Sequence, residues 1–176
     1  MFAYPHIIYF SRMKATSINA VSTLFLKAVL VLIGIAVLAL CVFFFPLIGR
    51  EILAVPELNT VSYPGLLGFY LTPIPFLFAL YQAFLLLQLI DKNIAFSQTA
   101  ISALVKIKYC AIAMSILYAM GLPLAMIIAE LDDAPGLGAI ALAFVCAPLV
   151  VATFAAVLQK LLHSALLIKM ENDLTV

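Results

Sequence analysis

Four stretches of this chain, residues 28–45, 66–90, 109–129 and 138–158, contain no Asp, Glu, Lys, Arg or His. Each is about long enough to cross ~30 Å of hydrocarbon as a helix rising 1.5 Å per residue. Inside a bilayer every backbone N–H and C=O must be bonded by the chain itself, which leaves helices or closed barrels. Barrel strands alternate apolar and polar residues, whereas these runs are apolar all round. The expected fold class is therefore all-α, an integral membrane bundle of four transmembrane helices.

Composition agrees and leaves little else. Of 176 residues, 67% are hydrophobic and 10% charged, so four spans with short connections use up the chain and no soluble domain is expected. A net charge of +1 offers no basic stripe for phosphates, which argues against direct binding of nucleic acid. The first run is longer than the apolar part of a signal peptide and has no small-residue cleavage site after it, so it reads as a retained helix. Pro46, Gly49 and Arg50 are expected to stop it. Met13-Lys14 offers an alternative start, with residues 1–12 as a loose extension.

Basic residues set the expected orientation. Arg12, Lys14 and Lys27 precede the first run, Lys92, Lys106 and Lys108 fall between the second and third, and Lys160 and Lys169 follow the fourth. The first and third connections carry only Arg50. This bias of eight to one puts both termini of a multi-pass membrane protein in the cytoplasm. The division expected is a cytoplasmic N-terminal segment, 1–27, and a four-helix transmembrane domain, 28–176, with a cytoplasmic helical extension and tail.

Departures from plain apolar sequence mark the candidate sites. Pro73 and Pro75 remove two backbone donors and should kink the second helix, and a ligand cleft, if present, belongs near that break. Ser97 is placed to cap a helix whose apolar face carries Ile101, Leu104 and Val105 and which runs into the third span. The fourth span should continue through Leu158, Leu161, Leu162, Ala165 and Leu166, with Gln159, Lys160 and His163 on a polar side. Both faces are expected against lipid headgroups or a partner. Glu130, Asp132 and Asp133 crowd the third connection, where Pro135-Gly136 reads as the centre of a tight turn. These carboxylates are the candidates for extracytoplasmic capture of a cation or cationic peptide.

Small residues recur every fourth position at Ala139, Ala143 and Ala147, at Ala111 and Ser115, and at Ala125 and Ala129. That spacing serves packing within the bundle or association of copies into a homo-oligomer, and both stay open. Cys41, Cys110 and Cys146 are far apart, and His6 and His163 have no acidic or cysteine neighbour, so no metal site is expected. No phosphate-cradling glycine loop or serine elbow occurs, so the expectation is a non-enzymatic protein without catalytic residues or cofactor. Asn172 and Asp173 should stop the last helix, leaving Leu174, Thr175 and Val176 extended with a free carboxylate. Together with Lys160 and His163, that end forms the candidate dock for a protein partner.

Ile74-Pro75-Phe76, the segment from Leu89-Ile90-Asp91 to Phe96-Ser97, Asp132-Asp133-Ala134-Pro135-Gly136 and Glu171-Asn172-Asp173-Leu174-Thr175-Val176 share a pattern. Their order and spacing resemble a bacterial membrane family that carries the domain-of-unknown-function label 2975, from about residue 25 to Val176. The resemblance implies four transmembrane helices. It also implies frequent gene pairing with a small helix-turn-helix transcription regulator of the Xre type. It transfers no catalytic or binding residue. The leading expectation is a membrane sensor or anchor for a cytoplasmic transcription regulator, and the alternative is a small transport or toxin-immunity protein.

Overall fold

A computed structural model describes the backbone of residues 5–53, 59–92 and 94–174, and side chains within 23–172 except 44, 45, 48, 51–62, 69, 93 and 135. The elements are α1 (Pro5–Leu53), α2 (Asn59–Leu71), α3 (Pro73–Asp91), α4 (Gln98–Leu131) and α5 (Pro135–Leu174). Among the described residues there is no strand. Four helical stretches are long and apolar enough to cross a membrane: Thr23–Phe43, Tyr63–Asp91, Gln98–Leu131 and Gly136–Asn172. The second is α2 and α3 in succession, so five helices make four spans. One end of the bundle, here the turn end, holds the end of α1, the start of α2 and the α4–α5 connection. The start of α1, the α3–α4 connection and the end of α5 lie at the other, the termini end.

The kink falls where the two prolines put it. Pro73 and Pro75 cannot bond the carbonyls four residues back, so the helix divides at Thr72. Thr72 bridges the division: its N–H donates to Gly68 O at 3.2 Å, its Oγ1 to the same oxygen at 2.8 Å, and its carbonyl accepts from Phe76 N at 3.3 Å. Single prolines at Pro46, Pro123 and Pro148 interrupt nothing. Each removes one bond, and in lipid the remaining backbone groups have no partner better than the helix. Pro46, Gly49 and Arg50 therefore do not stop α1, contrary to expectation, and it runs on to Leu53. Residues 5–12 are helical rather than loose, and α1 crosses the 27/28 boundary without a break.

Packing centres on α4, which contacts α2, α3 and α5, while α1 leans on α3 and α2. Among the described residues α1 and α5 share no substantial contact, so the bundle is open on one side. The α4–α5 register is fixed by Ser115 Oγ donating to Val145 O at 2.8 Å and by Tyr118 edge-on to Phe144 at 6.1 Å. Lys108 Nζ to Gln159 Oε1 at 3.4 Å extends it towards the termini end. Glycines set the α2–α4 approach. A Cβ on Gly68 would lie 2.8 Å from Leu117 O, and one on Gly65 2.7 Å from Leu124 Cδ2. At the termini end Lys27 forms an ion pair with Asp91 and lies 5.9 Å from the Phe84 ring centroid.

The acidic connection differs from its expected form. Asp133 N donates to Glu130 O at 3.4 Å and Ala134 N to Ala129 O at 2.9 Å, with Asp133 at φ 51°. That pair of bonds around a left-handed residue is the Schellman ending of a helix, here with Asp where Gly is usual. Pro135 then opens α5, a position that needs no N–H. Pro135-Gly136 is thus the start of a helix and not the centre of a turn, and Gly136 has no positive φ.

Candidate functional site

The open side of the bundle contains a groove of about 490 Å³. Val37, Leu40 and Cys41 of α1 form one wall, and Ala141 and Phe144 of α5 the other. Thr72, Pro73 and Phe76 at the helix break line its floor, with Leu117, Tyr118, Gly121, Leu122 and Ala125 of α4. No lining residue is charged. Among the described residues the groove opens where α1 and α5 share no substantial contact, beside the division at Thr72. All its lining residues lie in the half of the bundle nearer the turn end. Leu117 to Ala125, for example, sit 9 to 17 residues beyond Lys108, about 14–26 Å along α4.

Glu130 follows Ala125 by five residues, about 7.5 Å along α4 but about 140° round it, so it faces away from the groove side of that helix. Glu130, Asp132 and Asp133 are all exposed. The groove adjoins the Pro73/Pro75 break, where a ligand cleft was expected if one exists, and the acids lie further along α4 and in its C-terminal turn.

At the termini end, α4 and α5 continue as a packed pair. Ser97 caps α4 as expected, its Oγ accepting from Ala100 N at 3.3 Å. Ala100, Ile101, Ala103 and Leu104 are buried, and the antiparallel register sets Ile101 and Leu104 alongside Leu162, Ala165 and Leu166. Ile101 and Leu104 of the apolar face are thus covered within the chain, and Val105 is half-buried. On α5 the expected faces are also turned: Gln159 is half-buried against Lys108, whereas Leu158 and Leu161 are exposed. Lys160 and His163 are exposed, along with Leu167, Ile168 and Met170. Asn172 and Asp173 do not stop α5, which is helical through Leu174, so Leu174 is not extended. Its side chain, and all of Thr175 and Val176, lie outside the described residues.

Small-residue repeats divide in the same way. Ala111, Ser115 and Ala129 are buried in the bundle, but Ala139, Ala143 and Ala147 are exposed. Sequence reading missed Gly65 and Gly68, which admit α2 to α4, and Gly121, which lines the groove with Gly65. The signal was a small-x-x-small pair just before the double proline. It also passed over Gln82, 3% exposed, whose Oε1 has no hydrogen-bond partner.

The family described as "Protein of unknown function (DUF2975)" matches residues 47–176. The chain is similar to "Uncharacterized membrane protein YoaS" of Bacillus subtilis (strain 168), with 53% identity over 159 residues, 90% of this chain and 99% of that protein. No solved structure matches.

Proposed function

This chain belongs to the DUF2975 family of membrane proteins, and we propose that it is a non-enzymatic sensor or anchor for a cytoplasmic helix-turn-helix regulator. It lies in the bacterial cytoplasmic membrane with the termini end inside. One observation supports this most: α4 and α5 run unbroken from the groove to a packed two-helix projection beyond the bilayer edge. Charged groups avoid hydrocarbon, so Lys27, Asp91 and Lys108 mark that edge. From Lys108 back to Gln98 the projection extends about 15 Å, and from Gln159 to Leu174 about 22 Å. Its cohesion comes from the chain's own buried residues, which frees the outward faces for a partner. Lys160, His163, Leu167, Ile168 and Met170 form the outward surface of α5, and Leu174, Thr175 and Val176 complete the proposed dock. The basic bias towards the termini end and the gene pairing that the family resemblance implies agree with this reading. An uncharged groove has no residue for an ion or proton relay, which sets the transport reading second.

The test is co-purification from native membranes. Full-length chain should retain a helix-turn-helix protein, and Leu167→Glu with Ile168→Glu, or deletion of 171–176, should release it with normal membrane accumulation. Equal retention by all three chains would refute the dock.

A further inference from the structure

We infer that the outward strip of α5 is the contact surface for a second copy of this chain, pairing α5 with α5 in parallel about a two-fold axis along the membrane normal. The pairing is read from the chain alone and does not depend on the regulator reading.

The strip is defined by what α5 leaves uncovered. Among the described residues α4 is the only helix with which α5 shares substantial contact, and Pro148, Ala152 and Ala155 are buried on that side. The opposite side carries Ala143, Ala147, Val150 and Phe154 within the bilayer, all exposed. The same alternating step of four and three continues through Val157, Leu161, Ser164 and Ile168, which are exposed as well. A spacing that averages 3.5 residues keeps one seam against a partner helix when two helices supercoil. The next position of the repeat is Glu171, where the apolar seam ends.

What covers the seam follows from its passage through the bilayer edge. Lipid can cover Ala143 to Phe154, but Lys108, bonded to Gln159, marks the edge, and Leu161 and Ile168 lie about 3 and 14 Å beyond Gln159. There they are 62% and 68% exposed, and an unbroken helix cannot lay them flat on headgroups. A soluble partner covers only the outer stretch. A single occupant that meets both is a helix that spans the membrane and projects from the same end, which is what a second α5 supplies. Ala143 and Ala147 let two such helices approach closely in lipid, where packing rather than hydrophobicity drives association. In a parallel pair each seam residue meets its own counterpart, and the seam carries no charge from Ala143 to Ile168. Lys160 and His163 each precede a seam residue by one position, about 100° round the helix, so neither is set against its own copy. On the regulator reading, the pairing sets two docks side by side, which suits the two-fold dimers in which helix-turn-helix proteins bind DNA half-sites.

The experiment uses the full-length chain in lipid bilayers at low protein-to-lipid ratio, with no regulator present. Two differently tagged copies should co-purify after extraction into nanodiscs. With Cys41, Cys110 and Cys146 changed to Ala, Leu161→Cys and Ile168→Cys should each give disulfide-linked dimers under mild oxidation. Leu167→Cys, similarly exposed but off the seam, should give few. Leu161→Glu places its charge in water in a single copy, so membrane accumulation should stay normal. Co-purification should fall at least about tenfold, since pairing would set two carboxylates face to face in the seam. Absence of co-purification by the unaltered chain overturns the inference, as does crosslinking at Leu167 equal to that at Leu161. Co-purification undiminished by Leu161→Glu overturns it too. Copies that pair but retain no regulator from native membranes would sink the anchor reading alone, and copies that retain it without pairing would sink this inference alone.

Discussion

Gly68→Ala tests the close approach of α2 to α4. The added methyl would lie 2.8 Å from the carbonyl oxygen of Leu117, and backbone cannot swing aside as a side chain can. Relief to ordinary contact near 3.4 Å requires α2 and α4 to separate by about 0.6 Å, and Leu117 also lines the groove. Overpacking of this kind costs about 1–3 kcal/mol. Ala is the better helix former by roughly 0.5–1 kcal/mol, so the net loss should be about 0.5–2 kcal/mol. Two other glycines provide controls with the same propensity change and no clash: at Gly121 the nearest atom is Gly65 O at 4.0 Å, and at Gly136 nothing lies within 4 Å. Unfolding in mixed micelles by graded denaturing detergent, on all three Ala variants, gives the comparison. Gly68→Ala should unfold earlier than the parent, and Gly121→Ala and Gly136→Ala at the same point or later. If Gly68→Ala matches the other two, the close α2–α4 approach is wrong.

Three further outcomes follow from the geometry. Reporter fusions after Val176 and within residues 51–64 should report opposite sides of the membrane, with the former cytoplasmic; a periplasmic Val176 fusion would refute the orientation and the regulator reading with it. Asp133→Gly and Asp133→Asn should keep or raise stability, because both residues accept the left-handed conformation at φ 51°, whereas Asp133→Val should lose about 1–2 kcal/mol in the same unfolding assay. No difference among the three would show that Asp133 does not end α4 in this way. Gln82→Met should be at least as stable as the parent, since it removes a buried acceptor whose unsatisfied burial costs about 1–3 kcal/mol. A clear loss would show that the amide is bonded in the membrane.

The spans, the kink and the Ser97 cap were legible because each depends on residues close in sequence. Uncharged length predicts a span, a proline pair predicts a missing pair of bonds, and a serine before a helix predicts its own acceptor role. Helix ends were less legible where the environment overrode local preference. Pro46, or Asn172 with Asp173, would end a helix in water, where the released backbone groups are hydrated. Pro46 lies where few other partners exist, and α5 at Asn172 continues a helix already 37 residues long. Asp133 misled in the opposite direction: the sequence offered Pro135-Gly136 as the centre of the turn, but Pro135 is better used at the first turn of α5, which moves the reversal back onto the acid.

Which helices meet was not written in any one stretch. Ala139, Ala143 and Ala147 have the spacing of a packing face, yet α5 turns Pro148, Ala152 and Ala155 inward. Ser115 decides the matter from the other side, since its hydroxyl has Val145 O as a partner in hydrocarbon and fixes which strip of α5 faces α4. The groove is the extreme case. It takes lining residues from all five helices, none of them charged, and lies where α1 and α5 share no substantial contact among the described residues. Periodicity records what one helix presents, so a space left between two of them has no periodic signature. The double proline was its only local trace.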